Sequence, residues 1–150
     1  MALARIAYLF CALHLVAMMI LRLRSVLEPK KLCGGLENMD AIAVRSDIAE
    51  AAEEIELAHH LAKRAFGKGK NIAKKMKYEF LLWLAGKTDI RSAMEATAPR
   101  EGEDFLLVVF SDSKTDAVCR ILAAEKMPLG LKKEADPLRL ERISLSRIRG

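Results

Sequence analysis

Hydrophobic and polar positions divide this chain into blocks of different period. Between Ile6 and Leu21 no residue is charged, with Arg5 ahead of the block and Arg22 and Arg24 behind it. The block is shorter than the roughly 20 apolar residues a membrane span requires. No small-x-small cleavage pattern follows it, as one would after a signal peptide. Three readings stay open: a short membrane anchor over residues 6–23, a buried helix, or an extension from a misassigned start. Residues 1–38 are accordingly set apart from a domain over residues 39–150. Glu28-Pro29 and Cys33-Gly34-Gly35 predict a break or loop within the first part.

Beyond residue 40 the periods are clearer. Ala41-Ile42-Ala43-Val44 is a short apolar run that predicts a strand, with Ser46 or Asp47 placed to cap a following helix. That helix is expected from Glu50 to Phe66, because Ile55, Ala58, Ala62, Ala65 and Phe66 share a face at 3.6-residue spacing. A second helix is expected from Asn71 to Leu84, with Ile72, Met76, Phe80 and Trp83 on one side and Lys70, Lys74, Lys75 and Lys77 on the others. Gly86 stops it. Asp89 would cap a third helix, Ile90–Ala98, ended by Pro99.

Phe105 to Phe110 is apolar throughout and predicts a strand buried on both faces. Asp112–Lys126 reads as an amphipathic helix with Ala117, Val118, Ile121, Leu122 and Ala124 inward, ended by Pro128 and Gly130. Asp136-Pro137 opens a helical turn, and Ile143-Ser144-Leu145-Ser146 alternates as an edge strand would.

Composition narrows the class. The chain has 150 residues, 52% hydrophobic and 30% charged, which is neither disordered nor wholly membrane-embedded. Its net charge is +5, and the distribution says more than the total. Asp47 to Glu56 carries five acids and no base; Lys63 to Lys77 carries seven bases and no acid. Acids before bases along a helix suit its macrodipole, so part of the basic cluster has a structural motive. The three cysteines, Cys11, Cys33 and Cys119, show no zinc spacing and read as reduced thiols of a cytoplasmic protein.

Candidate chemistry is sparse. His59 and His60 are adjacent, and successive helix residues point about 100° apart, so they cannot share one metal. Neither heads a His-Glu-x-x-His motif, and no Ser/His/Asp or Cys/His set assembles. No catalytic residue, metal or cofactor is assigned, and the chain is read as not an enzyme. Gly67-Lys68-Gly69-Lys70-Asn71 lacks the spacing and the Ser/Thr of a nucleotide loop, but a tight turn before a helix can contact a single phosphate. Trp83 and Tyr78 suit the core and its rim, though an aromatic beside a basic cluster also suits base stacking.

From Asp47 to Ile90 the chain resembles the small kinase-binding subunit of the KEOPS/EKC complex, the TPRKB-like family. The features run in the same order: the helix DIAEAAEEIELAHHLAKRAF, a basic turn with Asn71-Ile72-Ala73, Glu79 with Leu81, Leu82 and an aromatic, and Gly86-x-x-x-Ile90. The likeness continues through Glu101-Gly102, the Phe105–Phe110 run and Asp136-Pro137, covering about residues 40–148. Two departures stand out. Thr88-Asp89 replaces the family's Arg-Gln, leaving Lys87 or Arg91 as local substitutes. Residues 1–38 do not look like the strand and helix with which relatives complete their sheet, which ranks a spurious extension first for that part.

The resemblance implies an α+β fold, a small mostly antiparallel sheet packed on a helical subdomain, with an atypical apolar N-terminal segment. It implies a non-catalytic subunit that assists threonylcarbamoyladenosine modification of tRNA. Its partners would be the small kinase/ATPase subunit of the complex and the single-stranded CCA end of the tRNA. Lys68, Lys70, Lys74, Lys75 and Lys87 would meet phosphates, Asn71 a base or sugar, and Arg91 the backbone. The alternatives are an interaction scaffold without RNA contact, its lysines only solubilising it, and a membrane-anchored cytoplasmic domain.

Overall fold

The computed structural model describes residues 18–111 and 115–147. They fall into two compact units: a sheet unit from the described residues of 14–47 and 98–130, and a helical unit from those of 48–97 and 131–150. An α+β architecture with a four-stranded antiparallel sheet results, as expected.

The sheet unit contains β1 (Met19–Ser25), α1 (Pro29–Leu36), β2 (Ala41–Arg45), β3 (Phe105–Val109), α5 (Thr115–Ile121) and β4 (Ala124–Met127). Strand order is β2-β3-β1-β4, so β3 is interior and every one of its residues is buried. β1 lies in register from Met19 opposite Val109 to Leu23 opposite Phe105, and β2 from Ala41 opposite Val109 to Arg45 opposite Phe105. Alternate side chains of a strand share a face. Leu23, Ala41, Ala43, Phe105, Leu107 and Val109 therefore gather into one core with Leu32 and Leu36 of α1 and with Val118 and Leu122.

Three expectations fail in this unit. Residues 19–36, within the stretch set apart at 1–38, form β1 and α1. Leu21 and Leu23 point into the core while Arg22 and Arg24 leave the sheet and pair, Arg22 Nε donating to the Leu129 carbonyl (2.7 Å) and Arg24 Nε to Asp104 (2.7 Å). Residues 19–23 of the considered 6–23 anchor are thus strand, and residues 6–17 lie outside the described residues. No helix among the described residues is long and apolar enough to cross a membrane. The break or loop expected at Glu28-Pro29 and Cys33-Gly34-Gly35 is helical from Pro29 on, because Pro29 suits the first turn and burial of Leu32 and Leu36 offsets the glycines. The third failure is the predicted helix Asp112–Lys126. Its described part ends at Ile121, where Ala123 turns left-handed (φ 48°) into β4, leaving Ile121 and Ala117 exposed.

The helical unit holds α2 (Ala52–Gly67), α3 (Met76–Ala85), α4 (Ile90–Thr97) and α6 (Pro137–Ser144). Neither Ser46 nor Asp47 caps α2. Asp47 bonds Arg45 instead, and Ser46–Ile48 make a 3₁₀ turn. The capping role falls to Glu54, wholly buried, whose carboxylate accepts from the N–H groups of Glu50 (2.7 Å) and Ala51 (2.9 Å) and from Arg139 Nε (2.7 Å) on α6. The backbone of Lys132 accepts from Ala52 and donates to Glu50, tying the same corner. α6 begins at Pro137 with Asp136 accepting from the Leu138 N–H. The expected edge strand Ile143–Ser146 is instead the end of α6 and the turn that follows it, with Ile143 buried in the helical unit.

Candidate nucleic-acid interface

Residues 68–75, which connect α2 to α3, carry five of the seven expected contact residues. α2 ends where Gly69 takes a left-handed conformation (φ 65°), and the Lys70 and Gly69 N–H groups bond back to the carbonyls of Ala65 (2.8 Å) and Phe66 (3.2 Å). α3 ends the same way at Gly86 (φ 68°), with Lys87 N–H on Leu82 (3.0 Å) and Gly86 N–H on Trp83 (3.3 Å). Both are closures in which the left-handed residue is normally glycine. Lys70 and Lys87 thus occupy the same position after two different helices.

The expected helix Asn71–Leu84 starts five residues late, at Met76. Glu79 explains the delay. Its carboxylate is fully buried, and Oε1 accepts from the N–H groups of Ile72 (2.7 Å) and Ala73 (2.9 Å), holding that backbone in an irregular turn. Oε2 pairs with Arg147, whose guanidinium stacks 4.1 Å from the centre of the Trp83 ring. Asn71 Nδ2 donates to the Ala73 carbonyl (2.9 Å), so this amide serves the turn itself. Ile72, expected inward, is 49% exposed, and Lys77, expected outward, is buried with its ammonium 5.2 Å from the Tyr78 ring centre.

Lys68, Lys70, Lys74 and Lys75 are exposed on this connection and Asn71 is half-buried there. Lys87 and Arg91 are exposed too, but at the far end of α3, about 15 Å along its axis for ten residues. Arg91 pairs with Glu95 on its own helix (3.4 Å). Asp89, standing where the family has Gln, accepts from the Ser92 N–H and hydroxyl and caps α4. Those two bonds hold its carboxyl below the usual range. The seven residues therefore form two groups, one at each end of α3.

Helix polarity separates the lysines further. Lys68, Lys70 and Lys87 follow helix C-termini, where a cation is favourable by about 0.3–1 kcal/mol. Lys74 and Lys75 precede the N-terminus of α3, where the same dipole opposes them. Local structure gives these two no reason to be basic, while an anion there would meet both the lysines and the helix end.

The remaining candidates have structural surroundings. His59 is buried, and burial, with Lys63 and His60 adding to it, pushes its imidazole down to about 4. No group of three or more His, Cys, Asp or Glu residues suited to a metal occurs among the described residues. Cys33 and Cys119 are half-buried, and Cys11 lies outside the described residues. A cleft of about 450 Å³ lies between α3 and α6, lined by Trp83, Gly86, Leu138, Arg142, Leu145 and Ser146, with Leu138 71% exposed.

The glutamate that shapes the turn was not among the expected site residues. Its signal is present in the sequence: Glu79 is the sole acid between Glu56 and Asp89, set among lysines and apolar residues.

These features define a small α+β protein with a structured lysine-bearing turn and a cleft of about 450 Å³ in its helical unit. No family model matches the chain. Against curated proteins, 86 residues, 57% of the chain, align at 38% identity with KEOPS complex subunit Cgi121 of Pyrococcus abyssi (strain GE5 / Orsay). Over that stretch the chain is thus similar to a KEOPS subunit, in agreement with the resemblance read from its residues. It matches 48% of that protein's length, about half.

Proposed function

We propose that this chain is a non-catalytic KEOPS subunit that assists tRNA threonylcarbamoyladenosine modification by binding single-stranded RNA at the 68–75 turn and by docking on the small kinase subunit. The placement of Lys74 and Lys75 at the positive end of α3 carries this reading, since two cations gathered against a helix dipole favour a polyanion. Lys68 and Lys70 extend the same patch. Lys87 and Arg91, at the other end of α3, would meet a second stretch of the strand. The single-stranded CCA end of tRNA suits such a surface, because its bases as well as its phosphates are reachable without opening a duplex.

The test is tRNA binding measured across salt. Each phosphate neutralised adds roughly 0.7–0.9 to the log–log slope, so four contacts lower affinity about a hundredfold between about 50 and 200 mM salt. Lys70→Glu with Lys74→Glu should weaken binding and lower the slope by about 1.5 while leaving the protein folded. Unchanged affinity in the folded double variant defeats the assignment. Removing the last three nucleotides of the tRNA should weaken binding to the unmodified protein as well. A scaffold without RNA contact is the second reading, favoured by the cleft beside exposed Leu138 and Leu145. Equal binding of full-length and shortened tRNA, at a slope near zero, would select it.

A further inference from the structure

We propose that Arg147 is a positioning residue for the lysine-bearing turn, acting through Glu79; the inference rests on the RNA-binding reading of that turn and deepens it. The observation is a comparison of two buried carboxylates in the helical unit. Glu54 and Glu79 are both fully buried, and each accepts two backbone N–H groups and one arginine. Glu54 serves its own helix, bonding the residues immediately before α2. Glu79 reaches out of its helix to Ile72 and Ala73, which lie between Lys70 and Lys74. One carboxylate caps an element; the other sets the path of the segment on which the lysines are spaced.

Arg147 is what holds that carboxylate inward. A buried carboxylate deprived of its cation is left as an uncompensated charge and turns toward water. That change weakens its hold on the two N–H groups. Arg147 itself is fixed by the Trp83 ring beneath it, and its side chain is only 16% exposed. Its Nε is buried without a hydrogen-bond partner, so the guanidinium is committed to the carboxylate and the ring rather than to a web of alternatives. A turn held in one conformation before binding loses less entropy when it meets a strand. Arg147 would therefore raise affinity for a phosphodiester chain that it does not touch.

Two measurements on the full chain test this. The first is amide exchange of the free protein. Arg147→Ala should speed exchange at Ile72 and Ala73 by about tenfold or more while the Ala58 and Ala62 amides of α2 keep their protection. The second is binding of a single-stranded RNA oligonucleotide across salt. Arg147→Ala should lower affinity about tenfold with an unchanged slope, whereas Lys74→Glu lowers the slope by at least about 0.7. Arg147→Lys should recover part of both losses. Arg139→Gln, which loosens the same unit at the Glu54 end, should leave RNA affinity as it was. Equal RNA affinity in Arg147→Ala and the unmodified protein overturns the inference alone. So does a slope falling as it does for Lys74→Glu, which would make Arg147 a direct contact, or an equal loss in Arg139→Gln. If the unmodified protein binds no RNA, the reading of the turn fails and the inference falls with it.

Discussion

Replacing Glu54 by glutamine changes one oxygen of a wholly buried side chain to an amide and should cost about 3 kcal/mol. The carboxylate accepts three hydrogen bonds, two from backbone N–H groups and one from Arg139 Nε. Glutamine keeps one acceptor oxygen. Turned toward the backbone pair, it aims its own NH₂ at the guanidinium; turned the other way, it sets that NH₂ against two N–H groups. The first arrangement is cheaper, and it still forfeits a charge-assisted bond worth about 1.5–3 kcal/mol and buries an unsatisfied donor at about 1–3 kcal/mol. Arg139 moderates the loss. Its side chain is 29% exposed and has Glu50 at 3.6 Å, so it regains water and a second partner, and the lower half of the sum applies. Arg139→Gln should cost at least as much, about 3 kcal/mol, because it leaves the wholly buried Glu54 carboxylate without its cation. The two losses should not add, with a coupling of about 1–2 kcal/mol in the double variant. Urea unfolding followed by the fluorescence of Trp83, the single tryptophan, reports this on the helical unit. A Glu54→Gln protein within about 0.5 kcal/mol of the original, or strictly additive losses, would refute the reasoning.

Two further outcomes follow from particular backbone and side-chain environments. Ala123 holds a left-handed conformation (φ 48°) and its side chain is exposed, so Ala123→Gly removes a strain of about 1–2 kcal/mol and adds back less than that in chain entropy; the midpoint of thermal unfolding should rise, and a fall contradicts the assignment. His59 is buried with its imidazole lowered to about 4, below the 6.5 of an unfolded chain, so the unfolded state binds the extra proton first. Its contribution is complete above pH 6.5 and is lost as pH falls toward 4, up to about 3 kcal/mol. His59→Gln should flatten stability measured between pH 7 and pH 4.5, and an unchanged pH profile would show that His59 is not its source.

Much of the architecture is written in local periodicity. The Phe105–Val109 strand, the α2 face of Ile55, Ala58, Ala62 and Ala65, and the glycine stop at Gly86 could all be read along the chain, because each depends on neighbours a few residues away. So could the basic charge of the turn. What could not be read depends on partners distant in sequence. Leu21, Arg22, Leu23 and Arg24 alternate as a strand does, yet beside the apolar block they resemble the flank of an anchor until Phe105–Val109 arrives opposite them. Ile143-Ser144-Leu145-Ser146 satisfies both a strand and a helix end over so short a run, and burial of Ile143 in the helical unit decided between them.

The same division holds at the site. Amino-acid order alone determined that cations gather between Lys63 and Lys77, since charge is a property of the residue. It did not determine that α3 begins at Met76 or that Lys77 is buried. Those were decided when a buried Glu79 found Ile72, Ala73 and Arg147. An interior carboxylate must be matched in charge and hydrogen bonds, and which groups can match it is known only after the chain has folded back on itself.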